Sequence, residues 1–501
     1  MRASGVLLPI FSLPGKYGIG CLSDEAYHFV KYLKKAKQKY WQILPVGPTS
    51  YGDSPYQSFS TFAGTPYFIS LESLIRDGLL TEEECDKVDM GDDEESIDYG
   101  KMYEGRYKLL RKAYRRAKAG SDKEFKKFTK KNEAWLHDYA MFMAIKDSYE
   151  GKSFLEWEEP LRTRDKEALD KFYKKNKSKV TFYEWLQYEF FTQWMKFKKF
   201  ANKNGVKIIG DIPIYVACDS ADTWANPELF QMDENYKPTR VAGCPPDAFA
   251  AKGQLWGNPL YRWDYHKKTG YKWWISRVQA CLTMYDVIRI DHFRGFDQYY
   301  SIAGDAEDAV DGYWEDGPNV DLFKAIKKEL GQIDIIAEDL GYMTDTVRKM
   351  VRETGFPNMK VLEFAFDARD AKDGGDDKPN DYLPFTYDHN CVVYTGTHDN
   401  ETLKGWLSSI TEEEVAMARD YVGLDKKASQ DDIVKGMIRA AYASPADYCI
   451  IPMQDYLCLD NSARINTPST TGENWKWRMK KEYLTKGLRK EMKKLVTTYW
   501  R

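Results

Sequence analysis

The sequence contains no long hydrophobic run and no cysteine spacing typical of a disulfide framework or a zinc site. No segment of the 501 residues approaches the roughly 20 apolar residues that a membrane-spanning helix needs. At the N-terminus only Val6-Leu7-Leu8 precedes Pro9, which is too short for the hydrophobic region of a secretory signal. The 8 cysteines lie far apart without a C-x-x-C pair, so we expect reduced core thiols. These absences predict a cytoplasmic protein with no membrane partner.

The chain also lacks a strong charge of either sign and the motifs of nucleotide-binding proteins. Its formal net charge is −3, which gives no reason to expect nucleic acid or an anionic membrane as a partner. Neither G-x-x-x-x-G-K-[ST] nor G-x-G-x-x-G occurs, so nucleotide chemistry is not indicated. No internal repeat of solenoid length is present either.

Aromatic residues, by contrast, are abundant. They make up 15% of the chain, with 35 Tyr, 24 Phe and 15 Trp. Aromatic faces stack on the apolar faces of sugars as readily as they fill a core, so this excess favours a carbohydrate ligand. Hydrophobic content of 43% and charged content of 30% are ordinary for a globular protein with a sizeable core.

Acidic residues recur where short β-branched runs end. The run 286–296 leads to Asp291, the run 334–341 leads to Glu338, and the run 392–400 leads to Asp399. Side chains two apart on a strand share a face, which places Arg289 beside Asp291. A guanidinium there is expected to lower the pKa of the Asp291 carboxyl. Three such strand ends predict a ring of carboxylates over the C-terminal mouth of a parallel barrel.

The order of elements predicts an α/β protein, a single (β/α)8 TIM barrel over residues 1–501. Helical periodicity at 72–200 predicts a helical insertion, and the turn-rich stretch 212–285 predicts a loop-rich insertion covering the active-site mouth. We predict eight strands, at 41–46, 67–71, 206–211, 360–366 and 448–453 and in the three runs that lead to the acids.

Paired carboxylates at strand ends suit the cleavage of a glycosidic bond. One acid must donate a proton to the leaving oxygen while another stays anionic beside an oxocarbenium-like centre. Asp291 beside Arg289 fits the anionic role, and Glu338 fits the role with the raised pKa. Asp399 would orient sugar hydroxyls, with His398 as a hydrogen-bond donor beside it.

Two other interpretations of these residues are open at this point. Arg289 and Asp291 could form a structural ion pair, Glu338 could be a helix N-cap, and His398 a core histidine. A divalent-metal hydrolase would gather His292 and His398 with the three acids. No H-x-H or H-E-x-x-H spacing supports that metal site.

The chain resembles glycoside hydrolase family 77, the 4-α-glucanotransferases related to the α-amylases, nearly from end to end. The motifs that carry the resemblance are Ser4–Pro9 (SGVLLP), Gly18-Ile19-Gly20, Ser54–Ser58 (SPYQS), Gly210–Val216 (GDIPIYV), Pro245-Pro246-Asp247, Gly253–Pro259 (GQLWGNP), Arg289–Gly295 (RIDHFRG), Ala337–Gly341 (AEDLG), Thr397–Asn400 (THDN) and Asn466-Thr467-Pro468. Each motif is moderately specific, and the ordered set is highly specific.

The resemblance implies roles for particular residues. Asp291 would be the nucleophile, Glu338 the general acid/base and Asp399 the stabiliser of the transition state. The residues that would contact the sugar chain are Arg289, His292, His398, Tyr56, Asp211, Asp247, Gln254, Trp256 and Asn466. The resemblance also implies that no metal and no organic cofactor takes part.

Some positions depart from the family's usual residues. Ala248, Ala250 and Lys252 lie where Tyr, Ser and Thr are common, and Ser469 and Glu473 lie where glycine is common. These differences concern acceptor contacts and loop mobility rather than the three acids.

The resemblance implies a retaining transferase acting on maltooligosaccharides and other α-1,4-glucan chains. An amylase-like hydrolase is the alternative within the same chemistry, because it would use the same three acids. A glucan-binding protein without activity is the alternative of another class, and the presence of all three acids argues against it.

Overall fold

The computed structural model describes residues 2–49, 52–246, 251–341, 343–368 and 379–501. Twelve strands occur within these ranges and are named here in chain order. They are β1 (Ala3–Leu7), β2 (Tyr40–Gln42), β3 (Lys207–Ile212), β4 (Arg240–Cys244), β5 (Gln254–Pro259), β6 (Val287–Ile290), β7 (Gln298–Ala303), β8 (Tyr313–Asp316), β9 (Ile335–Ala337), β10 (Asn358–Val361), β11 (Cys391–Tyr394) and β12 (Tyr448–Pro452).

Eight of these strands form a closed barrel, and all neighbouring strands in it are parallel. Their order around the barrel is β1-β12-β11-β10-β9-β6-β3-β2, with β2 paired back to β1. The predicted (β/α)8 barrel is therefore confirmed. Because the strands are parallel, their carboxyl ends all open at one mouth, where the sites of such barrels lie.

Side chains of the barrel strands alternate between the lumen and the surrounding helices. In β6, Val287 belongs to a small buried cluster that includes Ile209 of β3. Ile288 and Ile290 belong to the large cluster that the barrel shares with its helices. Arg289 lies on the same face of β6 as Val287, so its guanidinium enters the lumen close to the mouth.

One of the eight predicted strands is wrong. The stretch 67–71 contains no strand: Pro66–Phe68 is a 3-10 turn capped by the Thr65 side chain. A helix then begins at Leu71, with the Ser70 hydroxyl accepting from the backbone of the first turn. Two capping residues and a proline at the start of a turn therefore outweigh the β-branched and aromatic character of this stretch.

The barrel strand that the sequence did not reveal is β1, because its glycine weakens the strand pattern. Gly5 lies where the strands on both sides come close. A β-carbon on Gly5 would lie 2.6 Å from the Tyr40 Cβ atom of β2 and 2.7 Å from the Ile450 Cδ1 atom of β12. Only glycine fits such a contact without a shift of the neighbours.

Two predicted strands are shorter than expected. The stretch 41–46 is a strand only as far as Gln42. The stretch 360–366 leaves the sheet after Val361 and continues as the 3-10 turn Leu362–Ala365. Each of these two segments then continues as a loop at the mouth of the barrel.

Helices surround the barrel and fill the segment between β2 and β3. The α-helices are Asp24–Lys35, Leu71–Arg76, Glu82–Asp86, Tyr99–Ala117, Lys123–Lys131, Glu133–Ser148, Glu159–Arg162, Lys166–Lys203, Ala221–Ala225, Trp263–Lys268, Lys272–Met284, Asn319–Leu330, Asp345–Thr354, Leu403–Ser409, Glu412–Tyr421, Gln430–Ala443, Met453–Tyr456 and Lys486–Tyr499. In the part of the chain that the structure describes, no helix is long and apolar enough to cross a membrane.

A second sheet lies beside the barrel. It is antiparallel, with the order β5-β4-β7-β8. Two of its strands lie within the stretch 212–285, and the other two follow the barrel strand β6. The sheet therefore extends past residue 285, where the predicted loop-rich insertion ends.

The cysteines lie in the described ranges, and no two of them are joined by a disulfide. Five are buried, namely Cys21, Cys85, Cys281, Cys391 and Cys449.

Candidate active site

Two carboxylates meet where neighbouring barrel strands end. Asp291 directly follows β6, and Glu338 directly follows β9, its neighbour in the barrel. His292 N–H donates to Glu338 Oε2 at 2.6 Å, and Phe293 N–H donates to the Glu338 carbonyl at 2.9 Å. Leu340 N–H donates to Glu338 Oε1 at 2.8 Å. Backbone amides thus fix the Glu338 carboxylate, whereas the Asp291 side chain is 29% exposed to the cleft.

The pKa values of both carboxyls are raised. Burial raises the pKa of Asp291 well above its usual range and also raises the pKa of Glu338. Glu338, Asp211 and Asp399 add to the effect on Asp291 by repulsion, and Arg289 opposes it. Arg289 has the predicted lowering effect on the Asp291 pKa, but burial outweighs it, so the predicted low pKa of this carboxyl is wrong. The negative charges of Asp291 and Glu338 also repel each other, which disfavours ionisation of both carboxyls at once.

Burial outweighs the effect of Arg289 on the Asp291 pKa, and the same guanidinium is also bound to Asp211. Asp211 on β3 is paired in register with Arg289 on β6. Arg289 Nη1 lies 2.8 and 2.6 Å from the two Asp211 oxygens, but 3.1 Å from Asp291 Oδ1. The guanidinium is therefore shared between two carboxylates, and it lies closer to Asp211 than to Asp291. The predicted contact between Arg289 and Asp291 is present. It belongs to a cluster of three residues, because Arg289 also contacts Asp211.

Asp211 and Arg289 lie beneath the cleft rather than in its wall. Asp211 has no exposed surface, and Arg289 is 2% exposed. The Tyr56 hydroxyl covers them and donates to Asp211 Oδ2 at 2.9 Å. Both residues were predicted to contact a sugar chain, and in this structure they support the residues above them.

Asp399 reaches the mouth from the coil that follows β11. Its side chain is 43% exposed, and His398 Nε2 lies 3.2 Å from Asp399 Oδ2. Asn466, from far along the chain, donates from Nδ2 to Asp399 Oδ1 at 2.7 Å. Burial lowers the pKa of His398, so the neutral ring can donate a hydrogen bond to the carboxylate. Side chains, rather than backbone amides, orient this third acid.

Aromatic side chains form the wall on the Asp399 side. The Tyr56 ring stacks on the His398 ring, with centroids 5.2 Å apart and planes 12° apart. Trp475 lies 6.0 Å from Tyr56 and 6.1 Å from His398, measured between ring centroids. The three rings give this side of the cleft a largely apolar surface of the kind that sugars stack on.

The opposite wall is formed by His292 and the β5 strand. The Trp256 ring meets the His292 ring edge-on, with centroids 4.9 Å apart. Trp256 Nε1 donates to Gln254 Oε1 at 3.0 Å, which fixes both side chains. Burial lowers the pKa of His292 to about 3, so this ring is neutral.

A cleft of about 510 Å³ joins these walls. Of the predicted residues, those that line it are Tyr56, Gln254, Trp256, Asp291, His292, His398, Asp399 and Asn466. Glu338 lies next to His292, and Arg289 and Asp211 lie below. Asp247, also predicted, is outside the described residues, as are Ala248 and Ala250 of the loop that departs from the family pattern.

Several lining residues were not predicted as site residues. Trp475 lies in the C-terminal tail. The sequence feature that could have indicated its role was an aromatic residue among polar neighbours. Trp475 has a left-handed backbone with φ of 65°, a conformation that non-glycine residues rarely adopt without a compensating constraint. Tyr215 and Asn258 also line the cleft, and both belong to sequence motifs that carried the resemblance. Arg464, which binds the main chain of Asn466 and Asp399 rather than lining the cleft, was not predicted either.

The histidines and acids of the site do not converge as metal ligands. Among the described residues, no group of three or more His, Cys, Asp or Glu side chains is placed to hold a metal ion. His292 contacts Trp256, and His398 contacts Tyr56, so each ring packs in its own wall.

The fold and the site together define a class of protein. A carboxylate pair with raised pKa values and a third, exposed carboxylate lie between aromatic walls at the C-terminal mouth of a parallel barrel. This arrangement is that of a (β/α)8 enzyme that cleaves or transfers glycosidic bonds.

Comparison with known proteins identifies the family. The model of the 4-alpha-glucanotransferase family, glycoside hydrolase family 77, matches residues 8–485. A 4-alpha-glucanotransferase of Clostridium butyricum is 46% identical over 494 residues, covering 98% of this chain and 99% of the relative. That of Thermus thermophilus is 42% identical over 487 residues and covers 95% of each chain. The chain therefore belongs to this family.

Solved structures agree with this assignment. The amylomaltase of Streptococcus agalactiae, solved in complex with acarbose, superposes with a TM-score of 0.95 at 41% identity, covering 100% of both chains. The amylomaltase of Corynebacterium glutamicum gives a TM-score of 0.76 at 18% identity, covering 99% of this chain and 75% of that one, and supports the fold alone.

Proposed function

We propose that the site transfers a segment of an α-1,4-glucan to the 4-hydroxyl of an acceptor glucan or glucose by a retaining double displacement. Family membership supports the transferase reaction. The observation that carries the mechanism is the Asp291–Glu338 pair, two carboxyls on adjacent strand ends with raised pKa values. A retaining mechanism needs one carboxylate to attack carbon and one carboxyl to move a proton.

In the first step Asp291 acts as the nucleophile. Its carboxylate attacks C1 of the donor sugar, while the proton of the Glu338 carboxyl goes to the glycosidic oxygen. The C1–O bond breaks, the reducing-end part leaves with a free 4-hydroxyl, and the rest of the chain is esterified to Asp291. The access of the Asp291 side chain to the cleft, with 29% of it exposed, and the raised pKa of Glu338 support these roles.

In the second step the direction of proton transfer reverses. The Glu338 carboxylate accepts the proton of the acceptor 4-hydroxyl, and that oxygen attacks C1 and displaces Asp291. Two inversions at C1 leave the α configuration unchanged. The backbone amides of His292 and Leu340 donate to the two Glu338 oxygens and hold the carboxylate in place for this transfer.

Asp399 is proposed to stabilise the positive charge that develops on the sugar ring. Its carboxylate faces the cleft and is already held by Asn466 and His398. Preorganised groups of this kind stabilise a transition state without reorganising during the reaction. Tyr56, His292, Gln254 and Trp256 would hold the sugar units on both sides of the cleaved bond.

Asp211 and Arg289 are proposed to act from beneath the cleft, through the residues that they contact. Their ion pair lies under Tyr56 and Asp291, so it sets the positions of both residues and the electrostatic potential at the nucleophile. Asp247, outside the described residues, keeps the sugar contact that the resemblance implies.

The substrates proposed are maltooligosaccharides and longer α-1,4-glucan chains. The Streptococcus agalactiae amylomaltase was solved with acarbose bound. The cleft of this chain has the aromatic walls and convergent polar groups that an oligosaccharide of such chains requires.

Incubation with maltotriose alone tests transfer against hydrolysis. We expect glucose together with maltopentaose and longer oligomers, because a sugar hydroxyl intercepts the glycosyl-enzyme. A parallel sample of the Asp291→Ala variant controls for contaminating enzymes. Glucose and maltose without longer products would identify a hydrolase instead.

A further inference from the structure

Arg464 joins the two segments that bring Asp399 and Asn466 together. Its Nε donates to the Asn466 carbonyl at 2.8 Å, and its Nη2 donates to the Asp399 carbonyl at 3.0 Å. The side chains of the same two residues bind each other, with Asn466 Nδ2 2.7 Å from Asp399 Oδ1. One guanidinium therefore holds the main chain of both residues whose side chains meet at the cleft.

Each segment also has hydrogen bonds of its own: Asp399 N–H donates to Thr397 Oγ1 at 3.3 Å, and Trp475 N–H donates to the Ile465 carbonyl at 2.7 Å. Asp399 lies in coil between β11 and the helix Leu403–Ser409, and Asn466 lies in coil after the short turn Asn461–Ala463. Neither belongs to a strand or helix whose ladder would define its position. Asn461 also joins the two segments, by accepting from Thr402 N–H at 3.2 Å. Arg464 differs from it in binding the main chain of Asp399 and Asn466 themselves.

The third arm of the guanidinium is paired with a carboxylate. Arg464 Nη1 lies 3.6 Å from Glu401 Oε1, and Asn461 Nδ2 donates to that same oxygen at 3.0 Å. The Ser409 hydroxyl donates to the other Glu401 oxygen. Glu401 thus orients the fork of Arg464 from the side away from the cleft, and the Arg464 side chain is only 22% exposed.

We propose that Arg464 is a positioning residue for the transferase reaction, which sets the Asp399 carboxylate by holding Asp399 and Asn466 in register. It touches neither of the proposed reacting carboxylates and acts through the Asn466 amide. The inference rests on the proposed function, because it assumes that Asp399 acts in the transition state.

The geometry requires a planar fork rather than a positive charge. The rigid guanidinium of Arg464 donates to the Asn466 carbonyl from Nε and to the Asp399 carbonyl from Nη2, in two different directions. A lysine ammonium cannot reproduce this geometry. We therefore expect Arg464→Lys to lose nearly as much activity as Arg464→Ala.

Steady-state kinetics on maltotriose test this role. We expect Arg464→Ala to lower kcat about 100-fold, the loss typical of an ångström-scale displacement of a catalytic group, with little change in KM. Added guanidinium, well below denaturing concentration, should restore part of kcat, whereas sodium chloride at equal ionic strength should not. Arg76→Ala, which removes a surface arginine paired with Asp24, is the matched control and should keep wild-type kcat.

A double substitution tests whether the effect passes through Asn466. If Arg464 acts by placing that amide, Arg464→Ala should cost little more in an Asn466→Ala background. Multiplicative losses in the double variant would overturn the proposal. So would a near-normal kcat per folded molecule in Arg464→Ala with only a lower melting temperature, because that is a purely structural role.

The outcomes separate this inference from the proposed function. A wild-type protein that does not disproportionate maltotriose overturns both. A wild-type protein that does, with Arg464→Ala equally active, overturns the positioning role alone.

Discussion

The carboxylates after β6 and β9 share one barrel mouth with the carboxylate after β11, but the protein holds them in different ways. Asp291 and Glu338 follow their strands directly, and backbone amides of adjacent loops hold Glu338. Asp399 lies in coil, and the side chains of His398 and Asn466 hold it. We refer to Asp291 and Glu338 as the backbone-held half of the site, and to Asp399 with His398 and Asn466 as the side-chain-held half.

The difference has a consequence for substitutions. In the backbone-held half no neighbouring side chain is needed to place Glu338, so activity there depends on the reacting groups themselves. In the side-chain-held half the placement of Asp399 depends on residues that never touch the substrate's reacting atoms. Substitutions of such residues should therefore displace the acid in this half, whereas around Glu338 they should not.

The largest expected effect is in the backbone-held half. Glu338→Gln keeps the shape but removes the proton donor. Its amide oxygen can accept only one of the two backbone hydrogen bonds that the carboxylate accepts. We expect turnover of maltotriose to fall by about 10³ to 10⁴, at the upper end of what general acid–base catalysis contributes. Reaction with α-glucosyl fluoride, whose leaving group needs no proton, should still form the glycosyl-enzyme.

Mass spectrometry checks this assignment of roles. In Glu338→Gln treated with α-glucosyl fluoride, an added glucosyl mass should appear on the peptide that contains Asp291 and should persist, because the base of the second step is missing. The Asp291→Ala variant is the control and should not be labelled. A label on the Asp399 peptide, or near-normal turnover of maltotriose by Glu338→Gln, would reverse the assignment.

A smaller loss is expected from Asn466→Ala in the side-chain-held half. This change removes one hydrogen bond to an ionised Asp399, and such bonds contribute about 1.5–3 kcal/mol, which corresponds to about 10- to 100-fold in kcat. Asn390→Ala removes a comparable amide bond, to the Gly355 carbonyl on the surface, and should leave kcat unchanged. Equal kcat in both variants would mean that Asp399 needs no side-chain support.

The same division explains what could be predicted from the sequence. Asp291 and Glu338 stand next to β-branched strands, so alternation along a strand and the parallel arrangement placed them correctly. The pairing of Asp399 with Asn466 and Arg464 joins residues far apart in the chain, and no local pattern encodes it. Asn466 was found only through resemblance to a family, and Arg464 not at all.

Errors in the fold have equally local causes. Thr65 and Ser70 cap turns that interrupt a strand-like composition, whereas Gly5 hides a true strand because close packing against its neighbours requires a residue with no side chain. The Asp291 pKa was misjudged because the sequence shows Arg289 nearby but not the burial of the carboxyl or its closeness to Glu338 and Asp211, which all raise the pKa.

A change in pH dependence, rather than a large loss of activity, is expected when Asp211 is altered. Asp211→Asn removes a negative charge near Asp291 and frees Arg289 to interact with it, and both changes lower the pKa of the carboxyl pair. A carboxyl of this pair then loses its proton at lower pH, so the alkaline limb of kcat/KM should move to lower pH.

The matched control for this shift is Asp222→Asn. Asp222 is also a buried carboxylate, bound to Thr61, but it lies outside the cleft lining. Its removal should lower the melting temperature and leave the pH profile in place. An unchanged alkaline limb in Asp211→Asn would show that Arg289 does not control the carboxyl pair.

The smallest effect is expected at the boundary of the two halves, where Tyr56 touches both. Its ring stacks on His398 and its hydroxyl donates to Asp211. Tyr56→Phe removes only the hydroxyl bond, worth about 1 kcal/mol, and should lower kcat about fivefold. Tyr56→Ala also removes the ring that stacks on His398 and should raise KM for maltotriose as well.

Tyr442→Phe, which removes a buried hydroxyl bond to Tyr456, controls for the loss of a phenol hydroxyl and should leave kcat and KM unchanged. If Tyr56→Phe and Tyr56→Ala were equally impaired, the hydroxyl would carry the whole function of Tyr56, and its ring would not support the side-chain-held half.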